Sequence, residues 1–390
     1  MAFIFSVTLV GCGGSSDDTS VVDEVSADDD TQDDSADDPV DDAVSTYYNV
    51  DLFTVLPLTE NEVSCTLENG SETTCYELTF AANTVGDTEG EGTVGPYCPD
   101  SISTPRIEAG LGVYDGETNP GFQSLVDAAQ GMDADGYDIV DEDGNIRSGG
   151  GGDFSYCLSM AFDSSLTVTY LIPVTPEFRS EAYYIPTVGS IGLGINGIPI
   201  KGDPPSVTTA EAGIGGTGSG NIPALDHCGG HADPAGYYHW HFIPQSINTV
   251  FDAPEYNFTN LYGISCTNTY IEYEDHAAFA GLAKDGFPIY AAYDLIDGAN
   301  TLPADVATTD ECNGHTHATE EFPDGAYHYH ALETGAPTVP VCLMGSYVDR
   351  NDFTVQWPWL FNRHHCLKRK GLMPYAFKYI GIRLMGTAYA

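Results

Sequence analysis

The feature that most constrains this chain is a three-part motif written twice in the same order. "GLGINGIPI" (192–200) aligns with "GLAKDGFPI" (281–289), "DHCGGH" (226–231) with "DECNGH" (310–315), and "GYYHWH" (236–241) with "GAYHYH" (325–330). Three motifs in a shared order point to an internal repeat of one supersecondary unit, spanning 192–241 and 281–330. A cysteine follows each unit, Cys266 and Cys342. The insertions between motifs differ, so the units are expected to be two halves of one domain, packed around a pseudo-two-fold, and not a solenoid.

Strand geometry assigns roles inside each unit. Successive side chains on a strand point to opposite faces. Within Tyr238-His239-Trp240-His241 the histidines therefore share one face and the rings the other, and Tyr327-His328-Tyr329-His330 repeats this. The aromatic faces belong in the core, which frees the imidazole faces to meet. Nine of the 11 histidines lie between 227 and 330. The expected centre is one shared metal ion held by His239, His241, His328 and His330, with His231 and His315 as further ligands. Asp226 and Asp310 would ligate or orient an imidazole. A hydrogen-bonded histidine cluster without metal is the plainer alternative. An imidazole-rich set suits copper or zinc, with iron or nickel behind them, and its need for neutral rings predicts weaker binding below about pH 6.

The surrounding segments read mainly as strand. "YNVDLFTVLPL", "VSCTL", "TCYELTFAAN" and "SLTVTYLIPV" are β-branched and aromatic runs bounded by Gly, Pro and Asn. Asn196-Gly197 and Asp285-Gly286 are turn dipeptides leading through Pro199 and Pro288 into short apolar strands. Helical periodicity is confined to "GFQSLVDAAQGM" (121–132) and "DHAAFAGLA" (275–283). The fold class is therefore mainly β with minor helix, with a β-rich N-terminal part over 47–180, the repeat-bearing part over 181–350 and an atypical basic tail over 351–390. Six of the chain's 12 basic residues fall between Arg363 and Arg383 in that tail.

Charge and cysteines define the setting. Fifty-eight acidic residues against 12 basic ones give a formal net charge of −46, which argues against nucleic acid or an anionic lipid surface as partner. The start, "MAFIFSVTLVGCGGSSDD", resembles a signal peptide of residues 1–12 ending in a lipobox, with Cys12 as the lipidated residue. The Asp-rich stretch 13–46 then reads as a disordered tether, or as an acidic partner-binding tail. Export places the chain in the bacterial cell envelope, on the outer surface or in the periplasm, touching membrane only through its lipid. With Cys12 and the tail residue Cys366 set aside, eight of the ten cysteines remain. An even number suits a disulfide framework, with near neighbours paired: Cys65–Cys75, Cys98–Cys157, Cys228–Cys266 and Cys312–Cys342. Cys228 and Cys312 as zinc ligands are the alternative. Asp133, Asp135, Asp138, Asp141 and Asp143 lie on glycine-bearing turns that suit either Ca²⁺ or an acidic surface loop without EF-hand spacing.

These motifs resemble the YHYH domain family. "NGIPI", "DHCGGHADPAGYYHWH", "DGFPIY", "CNGH" and Tyr327-His328-Tyr329-His330 carry the likeness over roughly 185–345, and "GPYCP" and "TCYELTF" extend it toward the N-terminus. Trp240 stands where the family motif has tyrosine and keeps that face apolar. The resemblance implies a secreted or cell-surface protein and carries no activity with it. The expected function is a metal-binding or metal-stabilised surface module. Two alternatives are a metal-dependent hydrolase or oxidase on extracellular polymer, and a metal-free adhesion or carbohydrate-binding domain. Glu211, Asp226, Asp285, Asp310 and Glu311 are the acid–base candidates for an enzyme.

Overall fold

A computed structural model describes residues 46–82, 98–147, 165–204, 225–226, 229–232, 236–243, 277–332 and 339–356. The predicted leader with Cys12 and nearly all of the acidic tether lie outside them, as does the basic tail beyond 356. No helix among the described residues is long and apolar enough to cross a membrane.

The chain runs through β1 (Thr59–Thr66), β2 (Glu72–Ala81), β3 (Leu111–Tyr114), β4 (Gly121–Ser124), helix α1 (Leu125–Ala134), β5 (Thr167–Pro173) and β6 (Phe178–Tyr184). The first motif-bearing segment supplies β7 (Ser190–Gly194), β8 (Pro199–Lys201), β9 (Gly230–Ala232) and β10 (Tyr238–Trp240). The second supplies β11 (Phe279–Ala283), β12 (Pro288–Tyr290), the hairpin β13 (Asp294–Ile296) and β14 (Ala299–Thr301), short helix α2 (Pro303–Val306), β15 (Gly314–His317) and β16 (Ala326–His330). β17 (Cys342–Gly345) and β18 (Phe353–Gln356) follow. The protein is mainly strand with minor helix, as the sequence implies.

An eight-stranded sheet in the order β15-β16-β12-β11-β7-β8-β10-β9 dominates. Each unit contributes four strands, and the two sets meet where β7 pairs antiparallel with β11, Leu193 opposite Leu282. Those leucines hold the same place in the aligned motifs "GLGINGIPI" and "GLAKDGFPI". From this pair outward the two halves run through counterpart strands. Asn196-Gly197 and Asp285-Gly286 turn β7 into β8 and β11 into β12, with Gly197 and Gly286 at φ +78° and +92°, a region open chiefly to glycine. Close packing at the seam excludes side chains: a Cβ on Gly192 would strike the Leu282 carbonyl oxygen, and one on Gly281 that of Leu193.

Both faces of this sheet are covered. One buries Ile191, Ile200, Tyr238, Trp240, Phe287, Ile289, Tyr327 and Tyr329 in one core. The other carries Leu193, Leu282, Tyr237 and Tyr290 against Leu78, Phe80, Val168 and Tyr170 of a second sheet, ordered β1-β2-β5-β18. The Tyr170 hydroxyl donates to the Gly197 carbonyl at 2.9 Å, tying that sheet to the first turn. Fully burying each such side chain contributes about 1.5–3 kcal/mol. Because β18 joins strands from 47–180, and β6 pairs with β17, the parts drawn at 180 and 350 interleave instead of forming separate bodies.

Three local expectations change. Residues 279–283 are a strand, not the end of a helix, because pairing with both β7 and β12 overrides an alanine-rich helical pattern. "GFQSLVDAAQGM" divides into β4 and α1, and Ser124 caps the helix by accepting from Val126 N–H at 3.3 Å. "YNVDLF" forms a 3₁₀ turn at Val50–Leu52, where the Asn49 side chain accepts from Asp51 N–H at 3.0 Å. The disulfides Cys65–Cys75 and Cys312–Cys342 are present, which removes Cys312 as a zinc ligand. Cys98 is disulfide-bonded. Its expected partner Cys157 lies outside the described residues, as do Cys228 and Cys266.

Candidate metal centres

The HxH spacing does put both histidines of each strand on one side, but that side is buried too. His239 and His241 are 2% and 0% exposed, and His328 and His330 both 0%. They share their faces with Tyr237, whose ring lies 5.5 Å from His239, and Tyr290, 4.9 Å from His328.

The expected single centre is replaced by two. His231, His239 and His241 converge in the first wing of the sheet. His315, His328 and His330 converge in the second, joined by Asp294, and within each group the ligand atoms lie within 4.8 Å of one another. Four strands separate β10 from β16, which at normal strand spacing is about 24 Å. The topology explains the split: the units join through their motif-leading strands β7 and β11, so the histidine strands fall toward opposite edges.

Local pairing brings the third histidine of each group. β9 pairs antiparallel with β10 with His231 opposite His239, and β15 pairs with β16 with His315 opposite His328. The D-x-C-x-G-H turns set up this pairing. Asp226 accepts from Gly230 N–H at 3.1 Å and from the Tyr238 hydroxyl. Asp310 accepts from Gly314 and Cys312 N–H at 3.0 and 2.9 Å and from the Tyr327 hydroxyl at 2.6 Å. A Cβ on Gly230 or Gly314 would collide with those same tyrosines. Asp226 and Asp310 thus serve their turns, with oxygens engaged by turn amides and phenols, and neither stands in a histidine group.

The tautomers are dictated by the backbone. His328 Nδ1 donates to the Ala326 carbonyl at 3.0 Å and His330 Nδ1 to Ala291 at 2.8 Å. In the first wing His239 Nδ1 faces the Tyr237 carbonyl at 3.4 Å and His241 Nδ1 donates to Gly202. A carbonyl only accepts, so each Nδ1 carries the proton and each Nε2 presents a lone pair to the centre. His241 Nε2 lies 3.3 Å from His231 Nε2, and His330 Nε2 lies 3.2 Å from His315 Nε2. His328 Nε2 and His315 Nδ1 are buried with no hydrogen-bond partner, as is Asp294 Oδ2. Each such orphan costs about 1–3 kcal/mol, a penalty that a cation at the focus of the Nε2 atoms would relieve for the groups aimed at it.

Burial, followed by the neighbouring imidazoles, pushes His239 well below the ordinary imidazole range, and burial does the same for His241. Burial also lowers His328, against the opposing pull of Asp294. For Asp294, burial raises the carboxyl, but His315, His328 and His330 beside it outweigh that and carry it far below the usual carboxylate range. All of these directions favour neutral imidazoles and an ionised carboxylate, the forms that bind metal.

Asp294 and His317 were not anticipated. Asp294 opens the β13–β14 hairpin, inside an insertion that the motif alignment skips; "DGAN" after an apolar run is the only hint that a turn would present it. His317 stands two residues after His315 and so shares its face, a third HxH that the matched positions obscured. Its Nε2 lies 2.6 Å from Asp294 Oδ1.

The remaining candidates lie elsewhere. Asp285 is buried in the turn after β11, accepting from the Tyr329 hydroxyl at 2.6 Å and Gly345 N–H at 2.9 Å. Burial raises its carboxyl to about 6. Glu311 accepts from the exposed Tyr184 hydroxyl at 2.6 Å, and Glu211 lies outside the described residues. The aspartates of 133–143 do not converge on a Ca²⁺ position. Asp135 accepts from Thr118 and Glu117 N–H, Asp141 from Asp143 and Asn145 N–H, and Asp133 from Val140 N–H. Asp138 pairs with Arg147 at 2.9 Å. Their separate turn contacts leave the acidic-loop alternative.

No curated protein and no solved structure matches the chain. The model of the YHYH protein family matches residues 169–309 and 299–345, a span holding β7 to β17 and both histidine centres. That span is a YHYH domain.

Proposed function

We propose that this protein binds two transition-metal ions, one in each wing, and that the ions stabilise a surface-anchored binding module of the cell envelope. The observation that carries this reading is the convergence of backbone-fixed Nε2 lone pairs in two buried groups. Neutral imidazoles with one carboxylate suit zinc or copper, and second to these iron or nickel, better than Mg²⁺ or Ca²⁺. The lipid anchor at Cys12 and the acidic tether would hold the module off the membrane, and an extracellular polymer or small ligand is its candidate partner.

A module is favoured over an enzyme by the fate of the acid–base candidates. Among the described residues, Asp226, Asp310 and Asp285 are consumed by turns and buried phenols, and Glu311 is at the surface with Tyr184. None of the four joins either histidine group.

The test is elemental analysis of untagged protein. Wild type should carry two equivalents of metal, and His239/His241→Ala and His328/His330→Ala should each carry one. Loss of all metal in either double variant would restore a shared centre. Metal-free protein from replete medium, with no uptake on adding Zn²⁺ or Cu²⁺, would sink the reading.

A further inference from the structure

We infer that the two centres are unequal: the Asp294 centre is the tight, first-filled site, and the His231 centre is the exchangeable one. This rests on the two-ion reading above and goes beyond it by assigning each ion a different residence.

The imidazole frameworks are nearly the same. Nδ1 anchors fall on counterpart carbonyls, Tyr237 with Ala326 and Gly202 with Ala291, and the closest Nε2 pairs are 3.3 and 3.2 Å apart. A difference in affinity must therefore come from what surrounds the rings. In the second wing Asp294, 2% exposed at its side chain, sets Oδ1 at 3.3 Å from His330 Nε2 and Oδ2 at 3.1 Å from His315 Nε2. It brings an oxygen donor and a carboxylate to the focus. His317 holds that carboxylate from the rim, with Nε2 on Asp294 Oδ1 and Nδ1 on the Ala318 carbonyl, both at 2.6 Å. We assign it as a positioning residue.

In the first wing no carboxylate joins the three imidazoles among the described residues, and a lysine stands nearby. The position matching Tyr290 is Lys201, 9% exposed. Its ammonium lies 4.4 Å from the Phe353 ring centroid and 5.9 Å from that of Tyr237, the ring packed on His239. Tyr290, in contrast, donates to Glu321 at 2.7 Å. A dication is thus balanced by a buried carboxylate in the second wing and, among the described residues, by none in the first, and such terms are strong where water is excluded.

The test is chelator competition on full-length protein loaded with two equivalents of Zn²⁺. Zinc should leave in two steps separated by at least tenfold in affinity, and His239/His241→Ala should delete the weaker step. Asp294→Asn should lower the tighter affinity on the order of 100-fold and abolish its lead over the other step, and His317→Gln should lower it about tenfold, as loss of a partner that orients a ligand does. A single step releasing both ions, or deletion of the weaker step by His328/His330→Ala, would overturn the ranking while leaving the two-ion reading of the wild type intact. Failure to take up zinc at all would remove both readings together. If Asp294→Asn does not fold, His317→Gln carries the same test, and an unchanged tighter step there overturns the role given to His317.

Discussion

In the first wing His239 and His241 sit near Lys201. At the same places in the strand pattern of the second wing, His328 and His330 sit beside Tyr290 and Asp294. The backbones differ little, down to the carbonyl that anchors each Nδ1, so a framework of strands and glycine turns leaves the electrostatics of its rims open to change. The same contrast recurs on the opposite face. Tyr329 donates to Asp285 in the second half, where the first half places Trp240 and Asn196. Asn196 serves its own turn, accepting from Ile198 N–H at 3.1 Å, and Trp240 Nε1 has no hydrogen-bond partner.

The contrast can be broken or sharpened by substitution. The largest expected effect is loss of the Cys312–Cys342 bridge, which pins the turn carrying His315 to β17. Cys312/Cys342→Ala should cost roughly 2–4 kcal/mol in denaturant unfolding of the oxidised protein, and should reduce zinc retention at the second centre more than at the first. Equal loss at both would show that the wings respond as one body.

Next comes Tyr329→Phe, which strips a charge-assisted hydrogen bond from a buried carboxylate and should cost about 1.5–3 kcal/mol. Asn196→Ala, which removes the neutral turn contact to Ile198 N–H, should cost about 0.5–1.5 kcal/mol. Matching values from the two variants would erase the proposed asymmetry of the aromatic face.

The smallest effects are in pH. In metal-free protein the folded pKa values of His239, His241 and His328 are depressed, so the unfolded chain binds protons first. Stability should be complete above about pH 6.5 and decline below it, with the first wing contributing more because Asp294 offsets the burial of His328. Asp285 acts with the opposite sign. Its folded value is raised to about 6, so its contribution is full below its unfolded value near 3.8 and is lost as pH rises through 6. Urea titrations from pH 4 to 8 should show a steeper acid decline in Asp285→Asn, and a shallower one in His239/His241→Ala than in His328/His330→Ala.

The aligned motifs made the turns, the aromatic core strands and the histidine faces legible. Asp226, Gly230, Asp310 and Gly314 were visible as motif positions, but their role as supports for Tyr238 and Tyr327 was not, since a carboxylate in a histidine-rich motif reads equally as ligand or turn. Spacing within a strand reveals a face and says nothing about which strands become neighbours. The β7–β11 contact, which moves the two groups apart, depends on a glycine seam whose partner is 89 residues away in "GLG" and "GLA" (192–194 and 281–283). Residues 279–283 misled for a related reason: their alanines and glycine looked helical in isolation, while their alignment with 190–194 already demanded the same extended form. Asp294 lay in a segment with no counterpart motif, so only the fold could deliver it.

The glycine seam has a consequence for taking the molecule apart. Because Leu193 faces its own counterpart, cleavage between 243 and 277 would leave fragments whose cut edges are nearly interchangeable. The first fragment could recombine with the second, or dimerise head to head with another copy of itself, giving an assembly with two copies of the His231 centre and none of the Asp294 centre.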